Sequence, residues 1–178
     1  CDADPGGLDY EIRALAAGID VIHIESHMLS LIHPKFFEAY FLIDRKHRIP
    51  LLLLRPDEEN LQKMGIDLKE AKPLSRQIKA FESQGMPVLD NLHMMSLSQP
   101  ENRLEQVKQV LEKLPTGITY FIVHPARDTP ELRAIAPDWR CRVADYDVFA
   151  SKALRTCIRD SGIQMLGWRA LRDLMRAG

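Results

Sequence analysis

The sequence has no excess of either charge: 24 lysines and arginines face 25 aspartates and glutamates, leaving a net charge of −1. That balance provides no electrostatic footprint for nucleic acid or an anionic membrane, and argues against both as partners. Cysteine is scarce as well. Cys1, Cys141 and Cys157 are odd in number and lack C-x-x-C spacing. This argues against a disulfide framework or a zinc knuckle, and for free thiols in a reducing cytoplasm. No apolar run reaches the roughly 18 residues of a membrane span, and no signal peptide opens the chain. There is no initiator methionine. Cys1 opens "CDADPGGLDYEIRALAAG", which runs straight into helical text, so the chain reads as a piece of something longer.

What is present is ordinary for one soluble globular domain over 1–178, with 46% hydrophobic and 28% charged residues. Such a length can bury a core without covalent staples. Short apolar runs recur at "IDVIHIE" (19–25), "IPLLLL" (49–54), "MPVLD" (86–90), "ITYFIV" (118–123) and "IQML" (163–166). Helical stretches lie between them, from Phe36 to Lys46, Ser75 to Ser83, Glu101 to Lys113 and Val148 to Asp160. In the third, Leu104, Val107, Val110, Leu111 and Leu114 share one face. Gly18, Pro50, Gly85, Gly117 and Gly162 punctuate the alternation. Strand followed by helix, repeated, predicts an α/β fold with a parallel sheet and helices outside it. Unbroken apolar runs such as "LLLL" fit strands buried on both faces.

Polar groups gather where these runs end. His23, Glu25 and His27 follow the first and Arg55 the second. Asp90, Asn91 and His93 follow the third, His124 the fourth, and Trp168 and Arg169 the fifth. The carboxyl ends of parallel strands are where β/α barrels and open α/β sheets place their active sites. Strand ends also need polar residues simply to enter loops, but loop entry does not specifically favour histidine. A closed barrel takes about 200 residues or more, so about five units predict a partial barrel.

The stretch "HIESHMLSLIHP" (23–34) concentrates this chemistry. On a strand, residues 23, 25 and 27 share a face, and His23 and His27 stand roughly 13 Å apart. That is too far to hold one ion together, unlike the helical H-E-x-x-H arrangement. At most one of the two is a metal ligand unless the chain bends. His27, nearer the mouth, is the better candidate, with His23 orienting a neighbour; satisfied polar strand-end residues are the alternative for both. His33, before Pro34, reads as a capping or surface residue.

"HIESHMLSLIHPKFFEAYFLIDRKHRIPLLLLRP" resembles the T-H-x-D-S-H segment of the YdjC-like carbohydrate deacetylases. "GITYFIVHPARDTPELRAIAPDWRCRVADYDVF" is similar to the family's H-P-A segment and the D-W-R region beyond it. "MPVLDNLHM" fits as well, and the resemblance spans residues 8–176. It implies a TIM-like (β/α) barrel, a small carbohydrate substrate, and a divalent metal ion, Mg²⁺ or Zn²⁺, held by an aspartate and two histidines. One of those histidines falls on His27, and the H-P-A histidine falls on His124 as the catalytic acid. Glu25 stands where the motif carries an aspartate. The D-D-F-G segment that supplies the metal aspartate is absent, as is the G-x-H that supplies the first metal histidine.

The sequence thus reads as the C-terminal part of a metal-dependent deacetylase barrel that removes N-acetyl groups from amino sugars or sugar-containing metabolites. Taken alone it would be catalytically incomplete. Its catalytic candidates are His124 and Glu25, with His23, Arg55, Asp90 and Trp168 as sugar contacts. Arg55 and Asp90 are equally explained as members of structural ion pairs, and Trp168 as packing. An open barrel edge predicts self-association or pairing with the missing N-terminal segment. Two rivals stand beside this reading. One is a non-catalytic barrel fragment serving as a binding module; the other is a metal-independent glycosidase using Glu25 and Asp90 as its acid pair.

Overall fold

A computed structural model describes residues 13–25, 34–57 and 66–177. In chain order the elements begin with helix α1 (Pro34–His47), helix α2 (Leu68–Glu82), strand β1 (Asn91–Met94) and helix α3 (Arg103–Glu112). Strand β2 (Thr119–Ile122) and helices α4 (Pro130–Ile135), α5 (Trp139–Phe149), α6 (Lys152–Asp160) and α7 (Trp168–Ala177) follow. The chain divides into two compact units, Cys1–Asp90 with Leu166–Gly178, and Asn91–Met165. Among the described residues no helix is long and apolar enough to cross a membrane.

In the first unit, extended segments pair in parallel, Ile24 with Leu51 and Leu54 with Leu89. The Ile24 amide donates to the Pro50 carbonyl at 2.9 Å, and the Leu89 amide donates to the Leu53 carbonyl at 2.8 Å. Residues 49–54 are buried without a break. Leu51 and Leu53 join a core with Ile24, Ile49, Leu74, Ile78 and Met175, while Leu52 and Leu54 point the other way and are equally buried. The Tyr40 hydroxyl, on α1, donates to the buried Ile24 carbonyl at 2.9 Å. That carbonyl also accepts the Leu52 amide at 2.9 Å, so the hydroxyl fills its second lone pair and ties α1 to the paired segments. Gly85, at φ +90°, makes the turn from α2 into the third segment, a conformation costly for any other residue.

The second unit has its own core. β1 and β2 pair in parallel, with Leu92 opposite Tyr120 and His93 opposite Phe121. Met95, Val107 and Leu154 are buried, with Leu104, Val110, Phe121, Val123, Val148 and Ile158 packed around them. Thus α3 and α6 turn apolar residues into this core, as their sequence period requires, and α5 contributes Val148 and Phe149 from its C-terminal end.

The parallel pairing and mixed α/β fold agree with the sequence reading; several boundaries do not. The third run pairs further along than expected, so His93 lies within β1 and not at its end. The fifth run, 163–166, forms no strand pairing among the described residues. α2 begins at Leu68, before Pro73, because Asp67 caps it by accepting the Lys69 amide at 2.9 Å. A proline in the second turn removes only one intrahelical bond. The helix read over Val148–Asp160 is instead the end of α5 and all of α6, divided at Ala150 and Ser151. Ser151 starts α6 by accepting the Leu154 amide at 3.1 Å. Ser151→Ala should therefore cost about 1 kcal/mol, seen as a lowered denaturant midpoint with an unchanged slope.

Candidate active site

Within the first unit the structure brings His23, Glu25 and Trp168 together. Residues 23 and 25 share a strand face, and Nε2 of His23 lies 3.7 Å from Oε2 of Glu25. That is too long for a hydrogen bond. The indole of Trp168, the first residue of α7, stacks on the imidazole with centroids 4.8 Å apart and planes 5° from parallel. Nδ1 of His23 is buried and has no hydrogen-bond partner among the described residues. Burial holds the imidazole below its usual pKa, and the Glu25 carboxylate offsets this only in part.

A prediction follows for titration. Between the depressed folded value and the ordinary value of about 6.5, the unfolded chain binds more protons at His23 than the folded one. His23 therefore lowers stability as pH falls through about 6.5, and the loss is complete once the folded value is passed. Trp168→Ala, which opens the stacked face to water, should raise the His23 pKa towards normal. An NMR titration of the imidazole would read this, and an unmoved midpoint would show that the indole does not dry the ring.

Arg55 and Asp90 also meet in the first unit. Nε of Arg55 donates to Oδ1 of Asp90 at 2.7 Å, and its Nη1 donates to Oε1 of Glu82 at 2.6 Å. Asp90 first, and then Glu82, hold the guanidinium pKa above its usual range. The arrangement has the form of the ion pair that the sequence reading set beside sugar binding. Glu82 was not singled out from the sequence, since the end of an amphipathic helix is an ordinary place for an acid.

His124 follows β2 in the second unit, and three contacts hold its loop to α5. The His124 amide donates to Oδ2 of Asp145 at 3.0 Å. The Ala126 amide donates to the Arg142 carbonyl at 3.1 Å, and Nε of Arg127 donates to the Tyr146 hydroxyl at 3.0 Å. Asp145 is fully buried, and its other oxygen accepts Nε of Arg103 at 2.6 Å. Arg103 is the first residue of α3 and is itself 3% exposed. Its Nη1 reaches the Gln99 carbonyl and Oε1 of Gln106, each at 3.2 Å. Nδ1 of His124 is buried and has no hydrogen-bond partner among the described residues. Neither Arg103 nor Asp145 was flagged by the sequence: a charge on the amphipathic stretch 101–113 reads as part of its solvated face, and Asp145 falls outside the helical stretches that periodicity marks.

His27, the expected metal ligand, and His33 lie outside the described residues. Among the described residues no three His, Cys, Asp or Glu side chains cluster to hold an ion. By themselves, then, these residues do not fit a divalent metal. Cys141 is buried and Cys157 half-buried, and both are free thiols, as the sequence predicts.

Comparison with known proteins agrees with the motifs. The chain is 27% identical to a carbohydrate deacetylase of Thermus thermophilus over 176 residues, covering 94% of this chain and 59% of that protein. It is 23% identical to a carbohydrate deacetylase of Thermoanaerobacter pseudethanolicus, covering 96% and 62%. The chain thus spans about three fifths of the length of these curated relatives. Among solved structures, a proposed cellobiose-phosphate cleavage protein from Enterococcus faecalis superposes with a TM-score of 0.57 at 18% identity. That match covers 90% of this chain and 56% of the other, and is a likeness of fold. The profile of the YdjC-like proteins matches residues 12–160, through both the 23–27 and 124–126 motifs, and the chain belongs to that family.

Proposed function

We propose that the chain is part of a carbohydrate deacetylase with a TIM-like barrel, which hydrolyses N-acetyl groups on amino sugars. One observation carries the reading. The family match spans both histidine motifs, and relatives named carbohydrate deacetylase align with nearly the whole chain.

An N-acetyl group is a stable amide. Water must add to its carbonyl, the C–N bond must break, and the departing amine must gain a proton. In this reading His124, as imidazolium, donates that proton, and acetate and a free amino sugar leave. The water's own proton passes to a carboxylate of the D-D-F-G segment, which this chain does not contain. A divalent ion, when bound, would polarise the carbonyl and acidify the water, with His27 as this chain's ligand. The stacked His23–Trp168 pair and the Arg55–Asp90 pair offer an aromatic face and polar edges suited to a sugar ring.

The test is product analysis on N-acetylglucosamine oligosaccharides with Mg²⁺ or Zn²⁺ present. A full-length polypeptide carrying this sequence should release acetate and free amine in equal amounts. Residues 1–178 alone should release neither. New reducing ends without acetate would replace the reading with the glycosidase rival.

A further inference from the structure

We propose that Asp145, clamped by Arg103, is a positioning residue for His124. Its carboxylate fixes the backbone of the H-P-A loop, so that the imidazole meets the leaving amine in register. The inference rests on the reading of His124 as the acid.

Three elements converge on one buried carboxylate. α3 contributes Nε of Arg103 at 2.6 Å, α5 contributes Asp145 itself, and the loop after β2 contributes the His124 amide at 3.0 Å. The His124 bond is to backbone, so it sets where the Cα sits and leaves both imidazole nitrogens uncommitted to Asp145. Taking a carboxylate and a guanidinium out of water is unfavourable, and each further hydrogen bond to the pair offsets part of that cost. The His124 amide occupies the second carboxylate oxygen. Nη1 of Arg103 is braced by the Gln99 carbonyl and Gln106, while its buried Nη2 has no hydrogen-bond partner among the described residues; the carboxylate is thus held at both oxygens. A clamp on the main chain at the acid is what proton transfer requires, since a misplacement of about 1 Å can cost about 100-fold in rate.

The test compares Asp145→Asn, His124→Ala and the double variant in the full-length enzyme, with rates scaled to folded protein. Asp145→Asn should lower kcat by about 10- to 100-fold, the range a displaced catalytic group produces, with KM little changed. It should add nothing to His124→Ala, because a positioning group has no effect once its client is gone. Hydrogen exchange at the His124 amide should accelerate in the same variant. If Asp145→Asn does not fold, Arg103→Met/Asp145→Leu removes both charges and carries the same comparison. Losses that multiply in the double variant, an unchanged kcat, or an unchanged His124 amide would overturn the proposal while leaving His124 as the acid. An active His124→Ala would overturn both.

Discussion

His124→Ala in the full-length enzyme should lower acetate release from N-acetylated sugars by about 100- to 10,000-fold, the usual contribution of a positioned general acid. The loss should fall on kcat, since the leaving amine needs its proton only as the C–N bond breaks. Substrate affinity should change little, because the imidazole is asked to act on the transition state and not to hold the ring. His124→Gln, which keeps a hydrogen-bond donor but cannot transfer a proton, should be nearly as slow. The alkaline limb of the pH profile would decide the matter, since a general acid works only while it holds its proton. The rate should decline towards alkaline pH as the acid gives up its proton. A variant that keeps that alkaline decline without His124 would assign the acid elsewhere.

The second large effect concerns stability. Arg103→Met leaves the fully buried Asp145 carboxylate with the His124 amide as its remaining donor among the described residues. Breaking a buried pair by removing one partner costs about 3–5 kcal/mol. At roughly 2–4 °C per kcal/mol for a chain of this size, the melting temperature should fall by about 6–20 °C. Arg103→Met/Asp145→Leu should recover most of that loss, since two apolar groups of similar volume leave no charge stranded. Thermal and denaturant unfolding of the three proteins would check it. Equal losses in the single and double variants would mean that packing volume, and not the charge, is what Arg103 supplies. In contrast, the exposed pair between Arg133 and Asp128, 2.6 Å apart, should contribute little, because solvent screens surface pairs.

Sequence by itself determined the parallel α/β character of the chain. Continuous apolar runs such as residues 49–54 can be satisfied only between two covered faces, and the structure buries every one of those residues. It also determined that His23 and Glu25 would share a face, because the period of a strand is local and admits no alternative. The family too was legible, because its motifs are short and contiguous. Tertiary structure alone decided the rest. Nothing local distinguishes Asp145 from a solvated helix residue; it is buried because α3 brings Arg103 to it across 42 positions of sequence. The stacking of Trp168 on His23 likewise joins residues at opposite ends of the chain. The boundary at Ser151 was hidden because the apolar period continues through it, and only the cap ends one helix and starts the next. Periodicity and composition are properties of neighbours along the chain. Ion pairs, stacks and shared hydrogen bonds belong to neighbours in space, and their energies exist only once the fold has formed.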